Sequence, residues 1–456
     1  MGILGADRVR FRLDGAFVFE DQRVQGKGIT YNGEFEASVS GREVVIGKDG
    51  AMVLESDEVL LFPADDQAAR FAIRDVVIGA GFHWEQREEQ LFQGALKLTV
   101  IEGRVQVINR ISVESYLESV ISSEMRADSH PELLRAHSII SRSWLMAQVE
   151  KQFRIEREKL AYEMIHGSAD EYIRWYDRED HRGFHVCADD HCQRYQGITL
   201  ANHSEVVSAV RDTTGEVLQY DGRICDARFS KCCGGVTELF ENCWEPVPHP
   251  YLQRVEDLPS GSGRVFPDLS REAHHAFPDL KQEAHASRFI RESPDAFCNT
   301  MDEQLLRRVL NDYDLISRDF FRWTVRYSQE ELSALIREKS GIDFGLILDL
   351  VPVERGESSR LVKLKIIGSS RTVTVGKELE IRRWLSRSHL YSSAFIVERT
   401  AVREGIPGGF ILYGAGWGHG VGLCQIGAAV MASRGYTSRE ILVHYFRGAT
   451  IEKSYE

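Results

Sequence analysis

The sequence has no long apolar run, no excess of basic residues and few cysteines for its length. No stretch of the 456 residues approaches the roughly 18 apolar side chains of a membrane-spanning helix, so none is predicted. The net charge is −13 and there is no basic tract, which argues against a nucleic-acid partner. Eight cysteines in a chain of this length do not indicate a disulfide scaffold.

The first residues also lack the features of a targeting signal. A basic segment followed by an apolar one is missing at the N-terminus, and Ala6 stands where N-myristoylation requires Ser or Thr. We therefore predict no export signal in the sequence as written, and a trimmed or missing leader is the alternative.

The composition and the order of patterns predict an α+β fold with several domains. Hydrophobic residues make up 43% and charged residues 27%, as in ordinary globular proteins. Short β-rich runs between Gly and Asp turns predict a small β domain at 1–80. The mixture that follows predicts a helix-and-sheet core at 81–255, an accessory α+β insertion at 256–384 and the rest of the core at 385–456.

One carboxylate falls on the apolar stripe of the first predicted helix. Apolar residues recur with helical spacing across 113–125, and Glu124 follows Val120 by one turn on the same stripe. Burial raises the pKa of a carboxyl group, and a carboxyl that keeps its proton near neutral pH can act as a general acid. The alternative is a glutamate at a helix end that reaches solvent.

Arg142 also lies among apolar or small neighbours, on a second predicted helix that starts near Pro131. Ile139 and Leu145 are one turn away on either side, so we expect a partly buried guanidinium that needs a partner. Arg142 either pairs with a nearby carboxylate for structural reasons or orients Glu124 or a polar substrate.

Histidine and cysteine concentrate in one polar segment. Its candidate metal ligands are His181, Cys187, His191 and Cys192. Imidazoles and thiolates at this spacing can close a tetrahedral zinc site. A Cys187–Cys192 disulfide or reduced thiols are the alternatives, and Cys232 and Cys233 are candidate alternative ligands or redox partners.

A glycine-rich run at 414–422 precedes a helix near the end of the chain. It does not satisfy the dinucleotide-binding pattern and no Lys-Ser/Thr follows it, so nucleotide binding is disfavoured. Alternate glycines allow close approach of the backbone to a ligand or to another strand, which would place Trp417 and His419 at a cleft. A tight structural turn is the alternative.

Taken together, these segments resemble the SpoIID/LytB family, which comprises stage II sporulation protein D and the amidase enhancers. The similarity runs in order through residues 107–125, 131–144, 191–197, 209–215, 229–238, 416–428 and 441–448. These blocks extend over 85–255 and 385–456, and the ordered set is far more specific than any single block.

The sequence departs from the family pattern at several positions. Arg126 stands where the family usually has Pro, His137 where it usually has Gln, and Cys232–Cys233 where it usually has Thr-Ser. Glu124 and Arg142 are both kept.

The resemblance implies a peptidoglycan lytic transglycosylase that acts on glycan strands without stem peptides, with Glu124 as acid and base. It implies substrate contacts at Arg142, Ser230, Gly234, Gly235 and His419. It also implies a structural zinc site at His181, Cys187, His191 and Cys192. One carboxyl is sufficient, because the C6 hydroxyl of the muramyl residue attacks C1 and closes a 1,6-anhydro ring.

The resemblance leaves a second class of function open. A non-catalytic protein could bind glycan and activate a cell-wall amidase, as the enhancer name suggests. A cytoplasmic protein that uses the same scaffold on recycled or unrelated sugars is a third alternative. A peptidoglycan substrate implies the cell envelope.

Overall fold

The computed structural model describes residues 1–20, 29–65, 68–78, 86–158, 165–175, 181–188, 191–199, 203–259, 277–310 and 319–456. Two compact units divide the chain. Unit 1 comprises Met1–Arg157, Glu179–Glu216 and Lys453–Glu456, and unit 2 comprises Glu158–Arg178 and Val217–Glu452. Helices and sheets occur in both, which confirms the predicted α+β class.

Unit 1 begins with an extended antiparallel sheet. Its strands are β1 (Gly2–Ala6), β2 (Arg8–Phe19), β3 (Tyr31–Ser40), β4 (Glu43–Lys48), β5 (Ala51–Ser56), β6 (Glu58–Pro63), β7 (Arg70–Ile78), β8 (Gln86–Phe92), β9 (Ala95–Ile101) and β10 (Arg104–Arg110). Among the described residues the order is β1-β10-β9-β6-β2-β3-β4-β5, and β7 pairs with β2 and β8. The boundary expected at residue 80 therefore falls inside one sheet.

Strand β2 shows why this segment is a strand with one buried face. Val9, Phe11 and Leu13 are buried, whereas the neighbouring Arg8 and Arg10 are exposed. This period of two places every second side chain on the core side of the sheet.

Three helices of unit 1 follow the sheet or its connections. They are α1 (Val113–Glu124), α2 (Pro131–Glu158) and α3 (Ser204–Asp212). The Ser112 hydroxyl accepts the N–H of Ser115 and caps α1, and Pro131 occupies the first position of α2. The two helices predicted at these places are confirmed. None of the described helices is long and apolar enough to cross a membrane.

A column of stacked rings joins the sheet of unit 1 to α1. Phe71 stacks on Phe92 at 5.3 Å between ring centroids, Phe92 on Tyr195 at 6.0 Å, and Tyr195 on Tyr116 at 5.2 Å. The Tyr195 hydroxyl also donates to Asn109 Oδ1 at 2.6 Å. Buried aromatic pairs of this kind fix the position of the elements that carry them.

The remaining strands form several smaller sheets. They are β11 (Ile165–Gly167), β12 (Glu171–Arg174), β13 (Glu216–Tyr220), β14 (Arg223–Ile224), β15 (Phe229–Ser230), β16 (Arg322–Ser328), β17 (Ile347–Arg355), β18 (Leu361–Gly368), β19 (Thr372–Gly376), β20 (Phe395–Thr400), β21 (Gly409–Ala415), β22 (Leu423–Cys424) and β23 (Thr450–Lys453). The sheets are β11-β12-β19-β18-β17, β14-β13-β23, β15-β22 and β16-β21-β20.

Short helices complete unit 2. They are α4 (Glu283–Arg291), α5 (Glu303–Val309), α6 (Gln329–Ser340), α7 (Glu378–Trp384), α8 (Gln425–Ser433) and α9 (Ser438–Tyr445), with a 3₁₀ turn at Phe240–Asn242. A capping box starts α6 at Ser328 and a left-handed Gly341 ends it. The helix expected over 301–318 is present as α5, and its part at 311–318 lies outside the described residues.

The segment expected as an insertion shares its main core with the end of the chain. Strand β16 pairs with β21 over the register Arg322–Ala415 to Ser328–Gly409. One apolar cluster contains Trp323, Leu364 and Trp384 together with Phe395 and Phe410. Residues 256–384 and 385–456 therefore build one packed body where the structure describes them.

Candidate functional site

Glu124 is the last residue of α1, and its carboxyl group is held in place. It is partly buried, while Ile121, Ser123 and Met125 beside it are buried. The backbone N–H of Arg194 donates to Glu124 Oε1 at 3.0 Å. The carboxyl is therefore oriented by the segment that follows the His/Cys cluster in the chain.

That segment is wedged between α1 and α2. The Tyr116 hydroxyl donates to Gln193 Oε1 at 3.4 Å, and Gln193 Nε2 donates to the carbonyl of Ser141 at 3.4 Å. Gln193 is buried, as is Tyr195 on the other side of Arg194. These contacts fix the backbone whose N–H points at Glu124. Sequence reasoning missed this donor, because a backbone N–H carries no residue signature.

The four predicted His/Cys ligands come together. His181, Cys187, His191 and Cys192 each offer one ligand atom, and these atoms all lie within 4.8 Å of one another. His181 Nε2 is 3.2 Å and His191 Nδ1 is 3.6 Å from Cys192 Sγ. Two sulfurs and two imidazole nitrogens are a common set for a four-coordinate structural site. The group could hold a metal ion.

The thiol of Cys187 in this cluster holds its proton when no cation is bound. The pKa of Cys187 is raised to about 11, first by its hydrogen bond with Cys192 and then by burial. The imidazoles of His181 and His191 oppose this shift. A metal ion would have to displace the proton, so binding at this cluster strengthens as pH rises toward that pKa.

A cavity of about 390 Å³ lies beside the cluster in unit 1. Cys187, His191, Arg194 and Gln196 are among the residues that line it. Arg194 therefore both borders this cavity and donates its N–H to Glu124.

Arg142 lies apart from Glu124. Its side chain is fully buried, and Nε and Nη2 donate to the two carboxylate oxygens of Glu114 at 3.0 and 2.7 Å. The Tyr455 hydroxyl donates to the same carboxylate at 2.5 Å. Glu114 is in the first turn of α1 and Glu124 in the last, roughly 15 Å along the axis. These contacts favour the structural alternative for Arg142.

We predict that Arg142→Ala lowers the free energy of unfolding by about 3 kcal/mol, because it leaves Glu114 without its bidentate partner. Arg135→Ala on the same helix is the matched control, since Arg135 is 34% exposed in its pairs with Glu132 and Asp212. The control substitution should lower the free energy of unfolding by no more than about 1 kcal/mol. Urea denaturation of both variants measures the difference, and equal losses would contradict the structural role.

In unit 2, the glycine-rich run bends around a buried arginine. Gly416, Gly418, Gly420 and Gly422 all have left-handed backbones, with φ of 73°, 89°, 76° and 73°. Arg360 is 1% exposed and donates to the carbonyl of Gly418 at 2.9 Å. A Cβ on Gly420 would overlap the Arg360 guanidinium. The glycines thus permit close approach to protein groups of the same unit.

His419 projects from this run and is partly buried. Its Nδ1 accepts the N–H of Val421 at 3.0 Å, and its ring packs edge-to-face on Trp244 at 4.4 Å. Burial lowers the pKa of His419 well below its usual value, and the positive charges of Arg228 and Arg360 lower it further. His419 is therefore neutral at neutral pH and carries its proton on Nε2, and its ring also hydrogen-bonds to the backbone of Phe229.

The other three residues expected at a substrate site lie beside the glycine-rich run. Ser230 is buried in β15, and its hydroxyl has no hydrogen-bond partner among the described residues. A Cβ on Gly234 would lie 2.8 Å from the backbone nitrogen of Gly416, and one on Gly235 would lie 3.3 Å from the Phe289 ring. Packing therefore requires a glycine at Gly234, and the left-handed backbones of both residues, with φ of 82° and 114°, favour glycine.

We predict that Gly420→Ala destabilises unit 2 by several kcal/mol more than Gly405→Ala. Both residues have positive φ, but nothing lies within 4 Å of a Cβ at Gly405. Gly405→Ala should cost about 1 to 2 kcal/mol for the left-handed backbone alone. Thermal unfolding monitored by tryptophan fluorescence compares them, and identical melting temperatures would contradict the steric explanation.

Two family models match the chain. One, described as stage II sporulation protein, covers residues 101–220, which include α1, α2 and the His/Cys cluster. The other, a domain of unknown function (DUF8618), covers residues 238–422.

Curated relatives match over most of the chain. An uncharacterized protein of Brachyspira hyodysenteriae is 24% identical over 360 residues, 79% of this chain and 72% of the relative. Stage II sporulation protein D of Bacillus amyloliquefaciens is 22% identical over 76% of each chain. That of Bacillus subtilis is 22% identical over 80% of this chain and 82% of the relative. The resemblance found in the sequence is confirmed: residues 101–220 match the SpoIID family model, and two stage II sporulation D proteins are similar to most of the chain.

Proposed function

We propose that the protein is a peptidoglycan lytic transglycosylase of the cell wall in which Glu124 is the acid and base. The observation that carries this proposal is the partly buried Glu124 carboxyl, held by the N–H of Arg194 inside the family domain. A fixed, partly desolvated carboxyl meets the geometric need of general acid–base catalysis.

The reaction needs one carboxyl group. Glu124 would protonate the glycosidic oxygen that leaves C1 of a muramyl residue. The resulting carboxylate would then take the proton of the C6 hydroxyl as that oxygen attacks C1, which closes the 1,6-anhydro ring and restores the acid. The sugar supplies its own nucleophile, so the second carboxylate of most glycosidases is not required.

The substrate we propose is a glycan strand without stem peptides. In unit 2, the Ser230 hydroxyl and the neutral His419 imidazole are proposed as polar contacts to the sugar. Gly234 and Gly235 would contribute through the backbone shape that they permit. The contacts of Arg142 with Glu114 support a structural role for this residue within the proposal.

Zinc is the metal we propose for His181, Cys187, His191 and Cys192. It would act structurally, since two thiols and two imidazoles fill its four positions. By fixing the start of the segment that carries Gln193 and Arg194, these ligands would keep the Arg194 N–H aimed at Glu124.

We predict that Glu124→Gln lowers the release of anhydromuramyl fragments by ~100- to 10,000-fold, because glutamine cannot transfer a proton. Glu118→Gln, a partly buried glutamate on the same helix, is the control and should keep its activity. Mass spectrometry of denuded glycan strands after incubation detects the anhydro ends. If the wild type binds glycan but releases no fragments, a non-catalytic activator of a cell-wall amidase replaces this proposal.

We also predict that Cys192→Ser removes about one zinc ion per chain and lowers the cleavage rate, because the Arg194 segment loses its anchor. Cys225→Ser is the control, since Cys225 is buried outside both groups of close ligand atoms. Metal analysis of protein purified without added metal checks the first effect. Unchanged zinc in Cys192→Ser would contradict the assignment.

A further inference from the structure

A second group of close ligand atoms lies in unit 2. Cys233, Asp257, Cys298 and Cys424 come from four separate segments, and their ligand atoms all lie within 4.8 Å of one another. Each residue is at most 2% exposed. Cys233 and Cys424 are 191 positions apart in the chain, so only the tertiary fold brings these groups together.

The spacing of the sulfurs suits one tetrahedral metal ion. Cys233 Sγ and Cys298 Sγ are 3.6 Å apart. Two thiolates on one zinc ion, each with a bond of about 2.3 Å, lie about 3.8 Å apart. A disulfide requires about 2.05 Å and would use only two members of the group. Three sulfurs and one carboxylate oxygen complete a four-coordinate set.

The carboxyl of Asp257 supports the same conclusion. It is fully buried, and its hydrogen-bond partners among the described residues include no Lys, Arg or His. Its partners are the Tyr445 hydroxyl, 2.6 Å from Oδ1, and the N–H of Cys298, 2.8 Å from Oδ2. Buried carboxylates are normally paired with a cation or bound to a metal. Each oxygen keeps a lone pair for coordination.

Backbone N–H groups point at the sulfurs as they do around metal thiolates. Cys424 Sγ accepts the N–H of Cys233 at 3.2 Å and that of Gly427 at 3.4 Å. Cys233 Sγ accepts the N–H of Gly235 at 3.4 Å. Such donors orient ligands and compensate the negative charge of thiolates.

Gly427 in the first turn of α8 makes room for this arrangement. A Cβ there would overlap the Tyr445 hydroxyl and lie 2.5 Å from Asp257 Oδ1. The carboxyl therefore reaches the start of α8, where Cys424 is the capping residue, only because this position has no side chain.

We propose that Cys233, Asp257, Cys298 and Cys424 bind a second, structural zinc ion that cross-links the segments of unit 2. Thiolates select zinc over magnesium or calcium, and a closed, buried set without an open position excludes a hydrolytic role. Cys232 is also buried next to this group but is not one of the four close ligands. This proposal does not depend on Glu124 or on glycan cleavage.

Metal analysis of the full chain, purified without added metal, tests the proposal. We expect about two zinc ions per chain in the wild type and about one in Cys192→Ser, whose remaining ion belongs to unit 2. Cys298→Ser should also retain about one, and Cys243→Ser, a buried cysteine outside both groups, should retain two. Zinc absent from Cys192→Ser, or iron in its place, would overturn the assignment.

Cobalt substitution keeps the test decisive if Cys298→Ser does not fold. Cobalt bound to the Cys192→Ser protein should show the charge-transfer absorption of three thiolates, because only the unit 2 site remains. Cobalt absorption without a thiolate contribution would overturn the proposal. So would a Cys233–Cys298 disulfide found by mass spectrometry of the native protein under non-reducing conditions.

Discussion

The hydrogen bond from the Arg194 N–H to Glu124 depends on how tightly one short segment is wedged between two helices. Tyr195 stacks on Tyr116 of α1, and Gln193 bonds to both α1 and α2. A backbone N–H placed by buried neighbours on both sides has little freedom to move, so it gives the Glu124 carboxyl a fixed orientation. The His/Cys cluster lies immediately before this segment. A metal ion bound there would therefore help to hold the segment whose N–H orients Glu124.

In unit 2, the main structural constraint is the burial of polar groups. Arg360 is almost fully buried and is surrounded by backbone carbonyls that the left-handed glycines bring close to it. The three thiols and the Asp257 carboxyl form a second buried polar group nearby in the same unit. Buried polar groups are tolerated when their bonds are satisfied, and a metal ion would satisfy this second set.

Much of the fold and part of the site could be predicted from local patterns. The helices at 113–125 and from Pro131 follow from spacing and capping, and the grouping of the four His and Cys side chains follows from their proximity in the chain. The pairing of β9 with β6 across the boundary predicted at residue 80 could not be predicted from local patterns, because strand pairing is non-local. The burial of Arg142 could be predicted from its neighbours in the sequence. Its pairing with Glu114 could not be predicted, because Glu114 and Glu124 lie on the same helix.

The sequence by itself determined the α+β class, the resemblance to the SpoIID family, the position of Glu124 at a helix end and the cluster of His and Cys residues that lie within a dozen positions of one another. These properties depend on short-range periodicity and residue chemistry. Only the tertiary structure decided which N–H reaches Glu124, which carboxylate pairs with Arg142 and that Cys233, Asp257 and Cys424 meet. Such contacts join residues far apart in the chain, and packing of the whole unit sets their distances.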